Sequence, residues 1–227
     1  MISLLYSLPF VLIFAYLLQV NVRLYHTPTL VTSLTGRYNA GVHAQLQHLK
    51  IALHGTAGEE MQQLYPEGYV FLHALYGLTW TELLREITQE NEIYTEAITE
   101  VRWAIERLES DTAQQVFEPQ MHPTYGVFYQ GWLNYLRASY LERLSEPKQD
   151  SVQVHRYQLA CEELAASFSK HYTPFLFSYP GGCWPADNLV ALAALSKHDR
   201  ILPSRFHKSV QICLKRIQTK LDDNGLI

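Results

Sequence analysis

The segment best suited to catalysis is GGCWPADN, at positions 181–188. Pro185 predicts a helix start, so Cys183 is expected just before a helix N-terminus, where free N–H groups and the helix dipole stabilise an anion. A thiol in that place is expected to have a lowered pKa and to act as a nucleophile or proton donor. Asp187, in the first helical turn, is a candidate general acid or base, and Trp184 is a candidate substrate-binding residue. The alternative is structural: Asp187 stabilises the helix start and Cys183 fills space.

A second candidate segment is HPTYGVFYQGW, at positions 122–132. His122 lies in a predicted loop and has an ordinary pKa suited to proton transfer near neutrality. Tyr125 and Tyr129 are four residues apart on the predicted helix that follows, so both are expected to face the same space. Together with Trp132 they are candidate substrate-binding residues. A capping loop with ordinary aromatic packing is the alternative.

The third candidate segment is YPEGY, at positions 65–69. Glu67 is a candidate catalytic carboxylate that would share a cavity with Asp187, and two carboxylates across a pocket are what glycoside hydrolysis requires. Tyr69 and Tyr38 are candidate substrate-binding residues, with Arg37 expected at the same end of the molecule. The alternative for Glu67 is a carboxylate that only stabilises a helix N-terminus.

The three segments form a weak internal repeat: LYPEGY at 64–69, PTYGVFYQGW at 123–132 and SYPGGCWPAD at 178–187. Each leads into an apolar helix, and successive segments are about 55–60 residues apart, which suits one helix out and one helix back. Strand signals are nearly absent, whereas helical periodicity recurs. It predicts helices over 32–53, from 69 to a break near 78–81, and over 82–88, 90–108, 125–144 (ending before Pro147), 151–168, 185–195 and 203–221. The pattern favours stacked antiparallel αα-hairpins with their elaborate loops at one end, although Gly and Pro also punctuate unrelated helices.

These loops, the hairpin period and the closing DDNGLI at 222–227 resemble the (α/α) toroids of six-hairpin glycosidases and terpenoid cyclases. Within that group, the chain over residues 35–227 resembles the linalool dehydratase-isomerase-like proteins. The resemblance implies acid–base chemistry on a hydroxylated, partly apolar small molecule or glycan, by a lyase, an isomerase or a glycosidase-like hydrolase. It also implies a cysteine in the pocket, for which Cys183 is the candidate, with no second cysteine matched.

The predicted domain, residues 30–227, is an all-α toroid that is incomplete. A closed six-hairpin ring at this period needs about 330 residues, so the chain is expected to be a fragment of a ring or to complete it with a partner chain. An alternative function is a non-catalytic, membrane-tethered domain that binds a glycan, a lipid or a protein.

Residues 1–22 contain no charged side chain and match the roughly 20 residues that cross a bilayer core. They predict an uncleaved transmembrane anchor. A cleaved signal peptide is the alternative, but it would have Lys or Arg before the apolar stretch and a small-x-small site after it. Arg23, Arg37 and Lys50 follow with no acid before Glu59, which favours a cytoplasmic domain; a periplasmic one stays open.

Composition excludes several other classes. The net charge of -4 gives no basic surface for nucleic acid. Three scattered cysteines form no disulfide framework. His43 and His48 are five apart, off the i, i+4 spacing of helical zinc pairs. Without a metal motif, a phosphate-binding glycine loop, a nucleophile elbow or a dinucleotide fingerprint, the sequence predicts no metal and no cofactor.

Overall fold

The computed structural model describes residues 2–24, 29–146 and 150–225, with side chains from residue 8 onward. Helices hold 70% and strands 5% of the structure, which confirms the all-α class. The helices are α1 (Ile2–Leu24), α2 (Ala40–Leu53), α3 (Ala57–Leu64), α4 (Gly68–Leu83), α5 (Glu92–Leu108), α6 (Asp111–Gln114), α7 (Gly126–Arg143), α8 (Ser151–Lys170), α9 (Pro185–Ile201) and α10 (His207–Gln218). Strands β1 (Leu30–Ser33) and β2 (Gly36–Asn39) form an antiparallel hairpin.

From residue 40 onward the longer helices form two layers, and successive helices alternate between them. The inner layer is α4, α7 and α9, in which α7 packs against both neighbours; the outer layer is α2, α5, α8 and α10. The short helices α3 and α6 lie in connections. The hydrophobic core fills the space between the layers. The apolar residues of α5 from Ala97 to Leu108 are fully buried there.

The inner helices run in the same direction. The Phe71 ring of α4 lies 4.9 Å from the Phe128 ring near the start of α7, and later in both helices Gly77 lies against Leu136. A Cβ at Gly131 would lie 3.2 Å from the backbone nitrogen of Ala191, so α7 and α9 touch nearly backbone to backbone. This parallel packing brings the N-terminal ends of the three inner helices to one end of the molecule.

Ion pairs and hydrogen bonds join the outer helices to one another. Lys50 of α2 contacts Glu96 of α5 at 2.8 Å, and Arg156 of α8 contacts Glu109 at the end of α5 at 2.5 Å. Arg216 of α10 donates to the carbonyls of Phe168 and His171 at the end of α8. The outer helices are thus parallel to each other and antiparallel to the inner ones, as stacked αα-hairpins require.

The helix predicted over 32–53 is wrong in its first part. Residues 30–39 form the β1–β2 hairpin, with Leu30 opposite Asn39, and α2 begins only at Ala40, where the Asn39 side chain accepts from the N–H groups of Gly41 and Val42. Gly36, at φ 135°, lies so close to the Glu86 carbonyl that any Cβ would collide with it. The hairpin therefore lies against the α4–α5 connection, at the C-terminal end of α4.

Other helix boundaries differ in detail. The break predicted near 78–81 does not occur, because α4 continues to Leu83 and ends in a 3₁₀ turn. Helix α9 extends to Ile201, and α10 begins at His207 rather than at Pro203. Pro147, and the last two residues of the closing segment 222–227, lie outside the described residues.

The N-terminal segment forms the single helix α1, which includes Pro9. Between residues 8 and 24 every side chain except Val20 is exposed. Among the described residues, no helix reaches the combination of length and apolarity that crossing a bilayer demands.

Candidate functional site

The three repeated loops meet at one end of the inner layer, as the sequence predicts. The Tyr179 hydroxyl donates a 2.5 Å hydrogen bond to the Glu67 carboxylate, which joins the third loop to the first. The Val127 N–H donates to the Phe177 carbonyl at 3.0 Å, which joins the second loop to the third. We call this end, formed by segments 64–67, 122–125 and 177–184 and the helix starts that follow, the rim.

Glu67 lies immediately before α4 and is half-buried. Its partner Tyr179 lies in the loop before α9, 112 residues further along the chain. Burial raises the pKa of the Tyr179 phenol, and its hydrogen bond to Glu67 and the charges of Glu67 and Asp187 raise it further. Tyr179 is therefore a persistent proton donor that holds the Glu67 carboxylate in place.

Asp187 occupies the first turn of α9, as predicted, and accepts a 2.6 Å hydrogen bond from the buried Ser178 hydroxyl. Burial raises the pKa of Asp187; the Ser178 hydrogen bond opposes this, and the negative charge of Glu67 raises the pKa further. The two predicted carboxylates thus interact electrostatically across the rim. Asp187 retains its proton to higher pH than an ordinary aspartate, which suits a general acid.

Cys183 lies beside the carboxylates but does not have the predicted low pKa. Partial desolvation raises the pKa of its thiol, and the nearby negative charge of Asp187 raises it further. The helix dipole of α9 does not overcome these two effects, because the nearest full charge has the wrong sign for a thiolate. The residue is exposed, so a thiol, rather than a thiolate, faces solvent at the rim.

Aromatic side chains pack around Tyr179, the hydrogen-bond partner of Glu67. Trp184 is half exposed, and its ring meets the Tyr179 ring edge-on at 5.5 Å. Phe117 lies 5.7 Å from Tyr179. One to two turns into the inner layer, the rings of Phe71 and Trp132 meet edge-on at 5.4 Å. Tyr179 therefore joins the half-exposed Trp184 ring at the rim to the buried Phe117 ring, whereas Phe71 and Trp132 pack against each other deeper in the inner layer.

His122 and Tyr125 lie away from this group. His122 is exposed and faces α8, where it lines a cavity of about 380 Å³ with Glu163 and Lys170. Tyr125 has a left-handed backbone at φ 66°, a strained conformation for a residue with a side chain, and it lines a separate cavity of about 410 Å³ that also borders Arg137. The structure thus does not bring the predicted proton-transfer histidine to Asp187.

Tyr129, Tyr69 and Tyr38 serve other contacts. Tyr129 is buried, and its hydroxyl donates to the Leu108 carbonyl at 2.7 Å. Tyr69 is also buried and packs on the His73 ring at 4.1 Å. Neither presents its ring to the carboxylates.

Tyr38 lies in β2 and lines a cavity of about 540 Å³ with Glu82 and Arg85, at the C-terminal end of α4. The expectation that Arg37 and Tyr38 share an end with Glu67 is wrong. Helix α2 runs antiparallel to α4, so its start lies at the end of α4 opposite the rim.

Tyr179 and Ser178 are the residues that sequence reasoning missed. Both belong to the repeated segment that contains Asp187, but neither residue type forms a catalytic motif at this spacing. The signal available was the repeat itself, which aligns Tyr179-Pro180 with Tyr65-Pro66.

Across the described ranges, no three His, Cys, Asp or Glu side chains group as metal ligands would. Comparisons with protein-family models, with curated proteins and with solved structures found no match to this chain. The chemistry of the rim is therefore the basis for assigning a function.

Proposed function

We propose that this chain is a membrane-attached enzyme that cleaves a carbon–oxygen bond of a hydroxylated, partly apolar substrate by acid–base chemistry at the rim. One observation carries the proposal: the adjacent residues Ser178 and Tyr179 donate hydrogen bonds to two different carboxylates, Asp187 in the first turn of α9 and Glu67 immediately before α4. Two carboxylates in different environments are the usual division between a catalytic acid and a base.

Asp187 is the acid. Burial and the charge of Glu67 raise the pKa of Asp187, which favours its protonated form relative to an ordinary aspartate. In the proposed reaction it transfers that proton to the substrate oxygen as the carbon–oxygen bond breaks, so the oxygen leaves as a hydroxyl group or as water. The positive charge left on carbon is stabilised by the Glu67 carboxylate, which Tyr179 orients.

The reaction then ends in one of two ways. Glu67 removes a proton from the neighbouring carbon, which forms an alkene and makes the enzyme a lyase; re-addition of water elsewhere makes it an isomerase. Otherwise Glu67 deprotonates a water that attacks the carbon, which makes the enzyme a glycosidase-like hydrolase. The half-exposed Trp184 ring would hold the apolar part of the substrate.

The alternating layers support the further proposal that the domain is an arc of an (α/α) toroid of the six-hairpin type, similar to linalool dehydratase-isomerase-like proteins. Additional hairpins from a partner chain would close the ring around the rim.

Helix α1 supports attachment to a membrane. Its side chains between residues 8 and 24 include exposed Phe10, Leu12 and Phe14, and burying such a surface in lipid is favourable by roughly 25 cal/mol per Å². The side of the membrane on which the domain lies follows only from the basic residues Arg23, Arg37 and Lys50, which favour the cytoplasm over the periplasm.

The test is turnover of a panel of alkenols and glycosides, with products identified by mass spectrometry. Asp187→Asn is expected to lower kcat by about 10²–10⁴-fold, the usual contribution of a positioned acid, and Glu67→Gln to have a comparable effect. Glu118→Gln removes an exposed carboxylate from the connection before α7 and is the matched control, expected to change kcat by less than about two-fold. Full activity in either Asp187→Asn or Glu67→Gln, with helical content intact, would remove the proposal.

A non-catalytic glycan-, lipid- or protein-binding domain is the second candidate. The half-exposed Trp184 and the high pKa of the Cys183 thiol favour it, because an accessible ring beside hydroxyl groups suits sugar recognition and needs no nucleophile. Binding of a glycan that is lost in Trp184→Ala and retained in Asp187→Asn, without turnover of any panel member, would select this candidate.

A further inference from the structure

The cavity that Tyr125 borders lies between α8 and the end of α5, with α7 as its floor. Its volume is about 410 Å³. Leu133 of α7 and Leu159 and Ala160 of α8 give it an apolar wall. Neither carboxylate of the acid–base proposal lines it, so it is a second place where a small molecule could bind.

One part of this cavity carries an excess of positive charge. The Arg137 side chain is only 7% exposed, and both Arg137 and Arg156 donate to the single carboxylate of Glu109. The Arg137 Nε is buried, and no group in the described part of the chain accepts from it. Desolvation lowers the pKa of the Arg137 guanidinium below its ordinary value despite the charge of Glu109. One carboxylate thus leaves two guanidinium groups incompletely compensated, which favours a bound anion.

Glu163 gives another part of the cavity a negative charge. Its Oε1 accepts from the N–H and the hydroxyl of Thr124, at 2.6 Å and 2.8 Å. Both donors are neutral groups, and Lys170 lines the neighbouring cavity rather than this one. The Glu163 carboxylate is therefore held in place without losing its charge.

The spacing along α8 separates the two charges. Arg156 and Glu163 are seven residues apart on this helix, which is two turns, so they lie on the same face about 10 Å apart. The charged residues that line the cavity are Arg137 and Arg156 against Glu109 and Glu163, and their sum is zero. A simple anion would be repelled by Glu163 and a simple cation by the arginines. A molecule with one charge of each sign at the ends of an apolar chain would be attracted by both.

We propose that this cavity binds a small ω-amino carboxylate, whose carboxylate pairs with Arg137 and Arg156 and whose ammonium group pairs with Glu163. The methylene chain of the ligand lies against Leu159 and Ala160, between the two charged groups. This binding does not depend on the acid–base chemistry proposed for the rim.

Calorimetric titration of the full chain with 6-aminohexanoate tests the proposal. The charged groups of this probe are about 7 Å apart, the length of two residues of extended chain, so it fits within the two-turn spacing. Saturable binding is expected. No binding at up to about 10 mM, a concentration that detects even millimolar affinity, would overturn the proposal.

Two analogues of the probe each remove one charge. 6-Aminohexanamide lacks the carboxylate charge, and N-acetyl-6-aminohexanoate lacks the ammonium charge. Each should bind at least about 10-fold more weakly, because each loses a hydrogen bond between charged groups. Equal affinity for the probe and either analogue would show that the corresponding charge is not recognised and would overturn the proposal.

Substitutions on α8 test where the probe binds. Arg156→Gln and Glu163→Gln should each weaken binding of 6-aminohexanoate by about 10-fold or more. Glu162 and Arg205 form an ion pair with each other, and Arg205 is 52% exposed against 51% for Arg156. Glu162→Gln and Arg205→Gln are therefore the matched controls and should change affinity by less than about two-fold. Wild-type affinity in either Arg156→Gln or Glu163→Gln, with helical content intact, would overturn the site.

Asp187→Asn separates this proposal from the one for the rim. The variant should bind 6-aminohexanoate with wild-type affinity, because Asp187 does not line the cavity. Loss of binding in Asp187→Asn would place the probe at the rim and overturn the second site. Turnover of the alkenol and glycoside panel tests the rim independently of either result.

Discussion

Asp187 is held in a place where its charge is unfavourable. It lies half-buried beside another carboxylate, and a single hydroxyl, that of Ser178, offsets the burial. Sites that keep a proton for chemistry commonly lose stability by doing so. The raised pKa of Asp187 therefore has a consequence that can be measured without knowing the substrate.

Asp187→Asn is expected to stabilise the protein at pH 7. The pKa of Asp187 in the folded protein is raised above the ordinary 3.8, so the native state binds the carboxyl proton more tightly than the unfolded chain does. The free energy of unfolding therefore falls as pH rises from about 3.8 through the folded pKa. The variant should gain roughly 0.5–2 kcal/mol at pH 7, and the gain should vanish near about pH 3, where aspartate is protonated in both states. Urea unfolding at the two pH values measures it, and a variant less stable than wild type at pH 7 contradicts the raised pKa.

Glu100 shows the opposite case. It is buried and accepts hydrogen bonds from His54, Tyr76 and Lys50. Burial alone would raise its pKa, but these three donors lower the pKa below the ordinary 4.5. Its stabilisation is therefore present above about pH 4.5 and is lost as pH falls through the lower folded pKa.

Glu100→Gln should cost about 1–3 kcal/mol in the free energy of unfolding at neutral pH, as expected when a buried charged acceptor loses its charge. Glu96→Gln, which removes the more exposed partner of the same Lys50, is the control and should cost less than about 1 kcal/mol. Urea denaturation of both variants checks the comparison; equal losses would show that burial of Glu100 adds nothing.

Single residues were the least predictable feature from sequence. The sequence identifies Glu67, Cys183 and Asp187 as candidates because their residue types and loop positions suggest chemistry. The structure brings the three to the same end of the molecule. Tyr179 was missed because tyrosine has no motif of its own, and its role depends on a partner 112 residues away. Tyr38 is expected at the wrong end because the sequence does not show that α2 runs antiparallel to α4, which puts the start of α2 opposite the rim.

At the scale of the element, helices were predictable where one face is apolar. The predicted apolar stripe of α5 is fully buried from Ala97 to Leu108 and partly buried at Ile93, and the predicted span differs from the observed one by two residues at its start. The break predicted near 78–81 does not occur, and Gly77 beside it serves close packing: a Cβ there would lie 2.8 Å from a Leu136 methyl group. The hairpin strands are four residues long and too short to show alternation.

The start of α10 depends on one carboxylate that the sequence did not single out. Asp199 accepts from the backbone N–H groups of Arg205, Phe206 and His207 and from the Ser204 hydroxyl. Burial opposes ionisation, but these donors lower the pKa of Asp199 to about 2. The carboxylate thus links the end of α9 to the start of α10.

Asp199→Ala is expected to lower the free energy of unfolding by about 1–3 kcal/mol at pH 7, because buried or partly buried N–H groups lose their acceptor. The stabilisation is present above pH 3.8 and disappears as pH falls toward 2, since the folded pKa is the lower one. Asp199→Asn keeps an acceptor and should lose less. Hydrogen exchange of the α10 amides reads the effect locally, and unchanged protection in Asp199→Ala would refute it.

At the scale of the whole molecule, the sequence repeat predicted the most important feature, which is that three loops separated along the chain meet at one end. This follows because each repeat leads into an inner helix, and parallel inner helices place their starts together. What the repeat does not specify is the distance between those helices. The absence of a side chain at Gly131 sets that distance for α7 and α9, and so sets the place of Asp187, whose carbonyl lies 3.4 Å from the position of a Cβ at Gly131.

Gly131→Val should therefore disturb the rim without altering any of its polar groups. The added side chain must displace the α9 backbone at Asp187 and Ala191, and overpacking of this kind costs about 1–3 kcal/mol. Because the Glu67–Tyr179 contact depends on the loop before α9, we expect lower thermal stability together with weaker electrostatic coupling between Glu67 and Asp187. The change in unfolding free energy caused by Asp187→Asn should therefore be smaller in the Gly131→Val background than in wild type. The matched control is Ala186→Val, which adds bulk on the exposed side of the first turn of α9 and should leave stability and coupling near wild type. If Gly131→Val and Ala186→Val behaved alike, close packing of the inner helices would not be what positions the site.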